Sequence, residues 1–202
     1  MNSRAHWDQV YQSKRPTEVS WYQPSVERSL HFIRRLGPTH PRILDIGAGA
    51  SQLVDALLEA DCPKPILLDI SAAAFDHAKA RLGSRAALVE WIVADITQDP
   101  QLPAIDVWHD RAVLHFLIEA PAQQAYARLA TRTVRSGGHA IIATFALDGP
   151  ERCSGLPVRR HDGQSVAALL GPDFELVEEE REIHRTPAAA EQRFCWSVFL
   201  RK

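Results

Sequence analysis

An apolar segment that ends in a Gly-x-Gly turn restricts the possible folds more than any other feature of the chain. Residues 42–51 read RILDIGAGAS, so a short predicted strand is followed directly by Gly47 and Gly49. Because glycine has no Cβ, the backbone at these positions can adopt positive φ angles and approach a bound molecule closely. The turn opens a predicted helix from Ser51 to about Asp61, whose first N–H groups are free to face the turn. This order of strand, turn and helix indicates a site for a nucleotide-containing cofactor.

The glycine spacing argues against a dinucleotide. The dinucleotide fingerprint G-x-G-x-x-G requires a third glycine for close packing of helix and sheet, but Gln52 occupies that position. Two acids favour a different adenosine-containing ligand, since Asp45 precedes the glycines and Asp69 ends the next apolar segment. A carboxylate at the end of a second strand can accept two hydrogen bonds from a ribose diol.

These residues resemble the motifs of the class I S-adenosylmethionine-dependent methyltransferase family. The match runs from LDIGAGAS at 44–51 through ILLD at 66–69 to VADI at 93–96. The resemblance implies S-adenosylmethionine as the cofactor, with its methionine part near the first acid, its ribose at the second and its adenine at the third. An aromatic ring can interact with the sulfonium charge, which adds Trp21. The implied cofactor-binding residues are Asp45, Gly47, Gly49, Asp69, Ile70, Asp95, Ile96 and Trp21.

The segment 105–116 occupies the place where the fourth strand of this family ends beside the transferable methyl group. Its pair Asp110 and Arg111 resembles the Asp-Arg pair of thiopurine and related thiol methyltransferases, and the N-terminal aromatic residues resemble both that group and small protein-lysine methyltransferases. We therefore expect Asp110, Arg111 and His115 on the catalytic side. His115 is a candidate general base, although it can equally cap or pack in a helix, and Arg111 can hold an anionic substrate or form a structural ion pair.

Further candidates for the acceptor side follow the fifth strand, because ligands of open α/β sheets bind outside the carboxyl ends of the strands. Cys153 lies in this region, where it is either a thiol that binds a soft ligand or an inert loop residue. A cluster in the same loop can contact an anionic acceptor or can form an ordinary solvated face: Arg152, Arg159, Arg160 and His161. Phe145 is a candidate because it ends the fifth strand, and His184, further along the chain, is either a site residue or satisfies local hydrogen bonds.

Alternating strand-like and helix-like segments predict an α/β fold. We expect a Rossmann-like, doubly wound sheet of seven mostly parallel strands that ends in an antiparallel hairpin, because residues 185–190 are too short for a crossover helix. One domain is expected over residues 1–202, with a helical lid segment at 1–40 and a core at 41–202. Strands are predicted at 42–46, 65–69, 88–93, 104–109, 138–145, 174–180 and 194–201, and helices at 24–36, 51–61, 71–82 and from Pro121 to about residue 135.

Composition excludes several classes of protein. The chain has 202 residues, 46% of them hydrophobic, which is enough for one full core. A formal charge of −2 argues against nucleic acid or membrane partners. No apolar stretch approaches about 18 residues and no signal peptide is evident, so we expect a cytoplasmic protein, a monomer or weak dimer. The cysteines Cys62, Cys153 and Cys195 are widely spaced, so no metal is expected.

The leading hypothesis is an S-adenosylmethionine-dependent methyltransferase that transfers a methyl group by in-line displacement to a small-molecule acceptor, such as a thiol or another soft nucleophile. Two alternatives stay open: a protein-lysine N-methyltransferase and a noncatalytic module that binds an adenosyl cofactor. A protein modifier needs an open groove for a lysine and its flanking residues. A small-molecule enzyme is expected instead to bury its acceptor under the N-terminal segment and the loop at 146–161.

Overall fold

A seven-stranded sheet forms the centre of the computed structural model, which describes residues 4–202. Its strands are β1 (Ile43–Ile46), β2 (Ile66–Asp69), β3 (Glu90–Val93), β4 (Ile105–Arg111), β5 (Val134–Phe145), β8 (Phe174–Arg185) and β9 (Glu191–Arg201). A separate small hairpin pairs β6 (Arg152–Cys153) with β7 (Leu156–Pro157). The helices are α1 (Arg4–Ser13), α2 (Glu27–Leu36), α3 (Leu53–Glu59), α4 (Ala72–Leu82), α5 (Ala120–Thr133) and α6 (Gly163–Leu170).

The strand order is β3-β2-β1-β4-β5-β9-β8. Strands β1 to β5 run parallel, while β9 is antiparallel to both of its neighbours, β5 and β8. This arrangement confirms the predicted fold class, including the C-terminal hairpin. The chain leaves β1 toward β2 on one side and later returns to β4 on the other, so the sheet has its topological switch point between β1 and β4.

Helices cover both faces of the sheet, as alternation along β4 illustrates. Val107 faces a core cluster that includes Phe32 of α2 and Leu57 of α3. Its neighbour Trp108 faces the opposite cluster, which includes Tyr126 of α5. Successive side chains of a strand point to opposite faces, so a strand covered on both sides must be apolar at almost every position. The segment at 105–108 meets this requirement apart from Asp106.

Asp106 is the polar exception in that segment, and it is used to join strands. Its carboxylate accepts a hydrogen bond from the backbone N–H of Arg42 at 2.7 Å. It also forms an ion pair with Arg135. The negative charge of Asp106 is therefore balanced by protein groups at the amino-terminal edge of the sheet, away from the carboxyl ends of the strands where ligands bind.

Several element boundaries differ from the predictions. Strands β8 and β9 are longer than the predicted segments 174–180 and 194–201, because residues up to Arg185 and from Glu191 continue the ladder. Strand β5 begins at Val134 rather than at residue 138. Helix α3 starts at Leu53, two residues later than predicted, since the Ser51 hydroxyl accepts the backbone N–H of Leu53 before the helix begins.

Two helices and the small hairpin were not predicted. Helix α1 lies in the expected lid segment, but its sequence is mostly polar and buries little besides Val10 and Tyr11. The part of that segment formed by residues 1–3 lies outside the described residues. Helix α6 is short, yet it carries a capping box in which the Asp162 side chain accepts the Ser165 N–H at 2.8 Å. The Asp-x-x-Ser spacing was a usable signal for this helix start.

Candidate functional site

A cavity of about 450 Å³ opens at the carboxyl ends of β1, β2 and β4, where the switch point of the sheet lies. A second cavity of about 310 Å³ adjoins it. Both volumes together fall in the usual range for small-molecule sites, about 300–1,000 Å³. Five residues line both cavities, which therefore share a wall: Tyr11, Trp21, Ile46, Gly47 and Arg111.

The glycine turn after β1 fits closely against this wall. Gly47 and Gly49 have φ angles of +62° and +52°. A Cβ on Gly47 would lie 2.1 Å from Cγ2 of Val113, and a Cβ on Gly49 would lie 2.3 Å from the hydroxyl oxygen of Tyr11. Neither position can therefore hold a larger residue without displacing a side chain that lines the cavity.

Asp69 lies at the end of β2 on the wall of the larger cavity. Its Oδ1 accepts the N–H of Ser71 at 2.8 Å and its Oδ2 accepts the N–H of Gly49 at 3.0 Å. Burial raises the pKa of this carboxyl to about 6, and the backbone hydrogen bonds oppose the rise. Each oxygen keeps a lone pair, so the ionised carboxylate can still accept hydroxyl groups of a ribose.

Asp95 follows β3 on the same cavity wall, beside Ile70 and Ile96. Its Oδ1 accepts both the backbone N–H and the hydroxyl of Thr97, at 2.8 and 2.7 Å, and so begins the 3₁₀ helix Ile96–Gln98. The turn fixes the orientation of the carboxylate next to an apolar surface. An acid beside an apolar wall suits a heterocycle that carries an exocyclic amine.

Asp45 takes part in a buried hydrogen-bond chain that sequence reasoning missed. Its Oδ1 accepts from Nδ1 of His109 at 2.7 Å, and Nε2 of the same ring lies 3.0 Å from the hydroxyl of Ser29 on α2. All three residues line the smaller cavity. Strands β1 and β4 pair so that Asp45 and His109 lie side by side. The contact depends on the order of the strands, which no local motif reveals.

Asp110 does not reach either cavity, which corrects the expectation that it acts on the catalytic side. The residue is fully buried. Its carboxylate accepts the N–H groups of Val113 and Leu114 at 2.8 and 3.1 Å and the hydroxyl of Tyr126 at 2.7 Å. The acid therefore fixes the turn after β4, which leads into Val113 on the wall of the larger cavity.

We expect Tyr126→Phe to lower the free energy of unfolding by about 1–3 kcal/mol, because it leaves the Asp110 carboxylate and the Trp108 indole N–H short of a partner. Burial already raises the pKa of Asp110 to about 6, and the Tyr126 hydrogen bond opposes that rise. The loss should therefore grow as the pH increases through about 6 and the carboxyl ionises. Urea unfolding at pH 5 and pH 8 measures it, and an equal loss at both pH values would contradict this role of Tyr126.

His115 is also corrected as a candidate general base. It is fully buried, and its Nδ1 accepts the backbone N–H of Phe145 at 3.2 Å. Burial and the nearby Arg111 lower the pKa of the ring to about 3. The ring packs against Phe116 and Phe145, with centroids 4.5 and 4.6 Å away. His115 supports the cavity from behind and does not line it.

Arg111 is the member of the expected catalytic set that lines the cavities. Its Nη1 donates to the backbone oxygen of Trp21 at 3.1 Å, and its guanidinium lies over the ring of Phe194, 4.6 Å from the centroid. The buried Nε and Nη2 atoms have no hydrogen-bond partner among residues 4–202. Burial lowers the pKa of Arg111 to about 10, so the group stays charged at neutral pH.

The N-terminal segment forms part of the wall of the larger cavity. Trp7 and Tyr11 of α1 lie on its wall together with Trp21, and the rings of Trp7 and Trp21 meet edge to face with centroids 5.7 Å apart. The segment is anchored to α4, where Nε2 of His77 lies 2.9 Å from the backbone oxygen of Tyr11. The β6–β7 hairpin contributes Cys153, Leu156 and Pro157 to the same wall. Tyr22 lines the smaller cavity.

Most of the other loop candidates are used structurally. Arg159 donates to the side chain of Gln123, and Arg160 contacts the backbone of Gly149 and the carboxylate of Glu151. His161 is buried near Ser165, and His184 lies 2.8 Å from the backbone oxygen of Ser20. Arg152 donates to the backbone of Gly155. Burial raises the pKa of the Cys153 thiol to about 11, so this cavity residue is neutral near pH 7.

Among residues 4–202, no cluster of three or more His, Cys, Asp or Glu side chains has a geometry that could hold a metal ion. Within the same range, no helix combines the length and apolar character needed to cross a membrane.

A family model described as a methyltransferase domain matches residues 44–140. Among solved structures, a methyltransferase from Anabaena variabilis shares 16% identity at a TM-score of 0.78, covering 100% of this chain and 96% of its own. The N-methyltransferase NodS from Bradyrhizobium japonicum, solved with S-adenosylhomocysteine, shares 16% identity at a TM-score of 0.71, and the match covers 96% of this chain and 97% of NodS. A protein that converts a disulfide into a thioacetal in echinomycin biosynthesis shares 19% identity at a TM-score of 0.76, and the match covers 98% of this chain and 93% of that protein. No curated protein is significantly similar in sequence.

The residues of the site fit an adenosyl cofactor. The glycine turn leaves no room for a Cβ, and two carboxylates at successive strand ends keep free lone pairs toward the cavity. S-adenosylmethionine, the cofactor of the matched family, presents a ribose diol and an adenine to such groups. Residues 44–140 thus match a methyltransferase domain, and the chain shares its fold with S-adenosylmethionine-dependent methyltransferases.

Proposed function

We propose that this methyltransferase transfers the methyl group of S-adenosylmethionine to a small-molecule acceptor, a thiol or another soft nucleophile. The lining of the larger cavity is the observation that carries the proposal. Trp7, Tyr11 and Trp21 contribute aromatic rings to its wall, and Leu156 and Pro157 of the β6–β7 hairpin contribute apolar side chains. A concave, largely apolar cavity suits an acceptor that enters whole, whereas a lysine on a protein requires an open groove.

The side chains of the larger cavity favour an acceptor that needs no strong base. No histidine of the described residues lines this cavity, and its neutral thiol, Cys153, is a poor proton acceptor. Two of its carboxylates, Asp69 and Asp95, lie at the cofactor end, and Glu119 is exposed. A thiolate with a low pKa is already nucleophilic near neutral pH. Alignment of the nucleophile with the methyl group is then the main task of the protein.

The structural neighbours support a small acceptor without identifying it. One acts on a disulfide in the biosynthesis of echinomycin, and NodS is an N-methyltransferase. Both share the architecture at under 20% identity, so their acceptors do not transfer to this chain. A noncatalytic module is disfavoured because Asp45, Asp69 and the glycine turn keep the features that a cofactor requires. We also propose a cytoplasmic monomer or weak dimer without nucleic acid or membrane partners, on the basis of the composition.

A two-part experiment tests the proposed function. Calorimetry with S-adenosylmethionine and S-adenosylhomocysteine should give saturable binding, and a folded protein that binds neither would contradict both the proposed function and the noncatalytic module that binds an adenosyl cofactor. A panel of thiols, amines, phenols, carboxylates and lysine-containing peptides is then assayed by release of S-adenosylhomocysteine. We expect turnover with a small molecule, and selective turnover of the peptides would contradict the small-molecule assignment.

A further inference from the structure

Asp45, His109 and Ser29 form a continuous chain of hydrogen bonds on the wall of the smaller cavity. Both ring nitrogens of His109 are engaged, Nδ1 by the Asp45 carboxylate and Nε2 by the Ser29 hydroxyl. An ionised carboxylate can only accept hydrogen bonds, so Nδ1 must carry a proton, whereas a hydroxyl can donate to Nε2 or accept from it. Contacts at both ends of the ring fix its orientation toward Asp45.

The fold brings these three residues together in an apolar part of the core. Asp45 and His109 pair side by side on β1 and β4, and α2 places Ser29 against the same face of the sheet. The His109 ring lies beside the indole of Trp196, with centroids 6.2 Å apart, and Leu30 of α2 belongs to the adjoining apolar cluster. Polar groups in such surroundings are costly unless they are paired, and the chain pairs both nitrogens of the ring.

One atom of this chain stays open to a ligand. Oδ2 of Asp45 accepts no hydrogen bond from residues 4–202, and it is not one of the unpaired side-chain atoms that the protein closes off from solvent. The side chain of Asp45 keeps 5% of its surface accessible, on the wall of the smaller cavity. Because Oδ1 is held by the His109 ring, the carboxylate offers one oriented oxygen to a molecule in this cavity.

The charge at this oxygen calls for a cation. Among residues 4–202, the Asp45 carboxylate forms an ion pair with the His109 ring and with no Lys or Arg side chain. The negative charge of Asp45 also contributes to the raised pKa of Asp69. Arg81 lines the same cavity, but its donors hold Asp55 and the backbone after the glycine turn. A primary ammonium group, a compact cation with three donors, complements an oxygen of this kind.

We propose that His109 is a positioning residue for cofactor binding, which holds Asp45 so that Oδ2 accepts the α-ammonium group of S-adenosylmethionine. The two cavities share a wall, so a molecule whose adenosine lies beside Asp69 in the larger cavity can extend its amino-acid part into the smaller one. The inference rests on the proposed function for the identity of the cofactor, and it adds the residues that select the amino-acid part. Ser29 supports the ring from α2, and His109 acts through Asp45.

The test compares S-adenosylhomocysteine with methylthioadenosine by calorimetry. The second compound has the same adenosine and thioether but lacks the amino-acid part. The wild type should bind S-adenosylhomocysteine more tightly. His109→Leu should reduce this preference by about 10-fold with little change for methylthioadenosine, because the carboxylate loses the charge-assisted hydrogen bond that orients it. Asp45→Asn should reduce it at least as much, and adding His109→Leu to Asp45→Asn should cause little further loss.

Conservative variants distinguish positioning from a purely structural role. His109→Asn keeps an amide N–H near the place of Nδ1 and should retain most of the preference, whereas His109→Gln carries its amide toward Ser29 and should lose it. A structural effect would instead follow the free energy of unfolding, which urea titration measures for every variant. Ser29→Ala is the mildest change to the core and should lower the preference in the same direction. His139→Asn, on β5 and lining neither cavity, is the control and should leave both affinities unchanged.

The outcomes are distinguishable from those of the proposed function. Equal affinity of the wild type for the two compounds would overturn the role of Asp45 and His109. An unchanged preference in both His109→Leu and His109→Gln would overturn the role of His109 alone. A folded wild type that binds neither compound would contradict the proposed function itself.

Discussion

Gly47→Ala is expected to cause the largest loss of any single substitution in the site. Alanine at a φ of +62° costs roughly 1–2 kcal/mol in backbone strain. The new Cβ would also lie 2.1 Å from Cγ2 of Val113, and such overpacking costs about 1–3 kcal/mol more. We expect a combined loss of about 2–5 kcal/mol, divided between protein stability and cofactor affinity. Urea unfolding and calorimetry with S-adenosylmethionine measure the two parts.

The steric part of this prediction can be isolated with a second substitution. Val113→Ala removes Cγ2, and the remaining Val113 Cβ lies 3.6 Å from the new atom, an ordinary contact distance. The double variant should therefore recover most of the free energy that the steric clash costs, and this recovery appears as a favourable coupling energy in a double-mutant cycle. Gly137→Ala is the control for strain alone, because Gly137 has a φ of +78° and no atom within 4 Å of the added Cβ. Purely additive effects at positions 47 and 113 would contradict a steric clash between the added Cβ at position 47 and Val113.

The fold was predictable because its signals are local. Strands β1 and β2 are short, largely apolar runs, and Asp69 marks the end of β2. The short linker at 185–190 was sufficient to predict the antiparallel hairpin. Helix α1 was not predicted because its residues are mainly polar and its burial depends on contacts with α4, such as that between Tyr11 and His77. A helix stabilised by a distant element leaves little periodic signal in its own sequence.

Two residues expected on the acceptor side, Asp110 and His115, lie in the core and not on a cavity wall, and the reason is physical. A strand-end acid such as Asp110 looks the same in the sequence whether it faces a cavity or the core. Its structural role is decided by Tyr126, sixteen residues later, whose hydroxyl donates a hydrogen bond to the carboxylate. The link between Asp45 and His109 likewise exists because β1 and β4 are neighbours in the sheet. Arg111 lines both cavities, but its contacts depend on where Trp21 and Phe194 lie.

Asp69→Ala is expected to weaken the binding of S-adenosylmethionine by about 1–3 kcal/mol, through loss of charge-assisted hydrogen bonds to the ribose. The same carboxylate holds the N–H groups of Gly49 and Ser71, so the substitution also loosens the glycine turn. Asp76→Ala is the matched control, because Asp76 is exposed on α4. Calorimetry of both variants measures the effect, and an unchanged dissociation constant for Asp69→Ala would exclude the ribose contact.

The pKa of Asp69 makes the same contact visible in the pH dependence of binding. Burial raises this pKa from 3.8 to about 6, so the unliganded fold favours the protonated carboxyl and the ionised group opposes folding above that pH. Hydroxyl donors stabilise the ionised carboxylate, so cofactor binding must lower the pKa again. Affinity should therefore fall as the pH decreases through about 6 in the wild type, whereas the Asp69→Ala variant should lack this dependence. A wild-type profile that stays flat between pH 5 and pH 8 would mean that the ribose is held elsewhere.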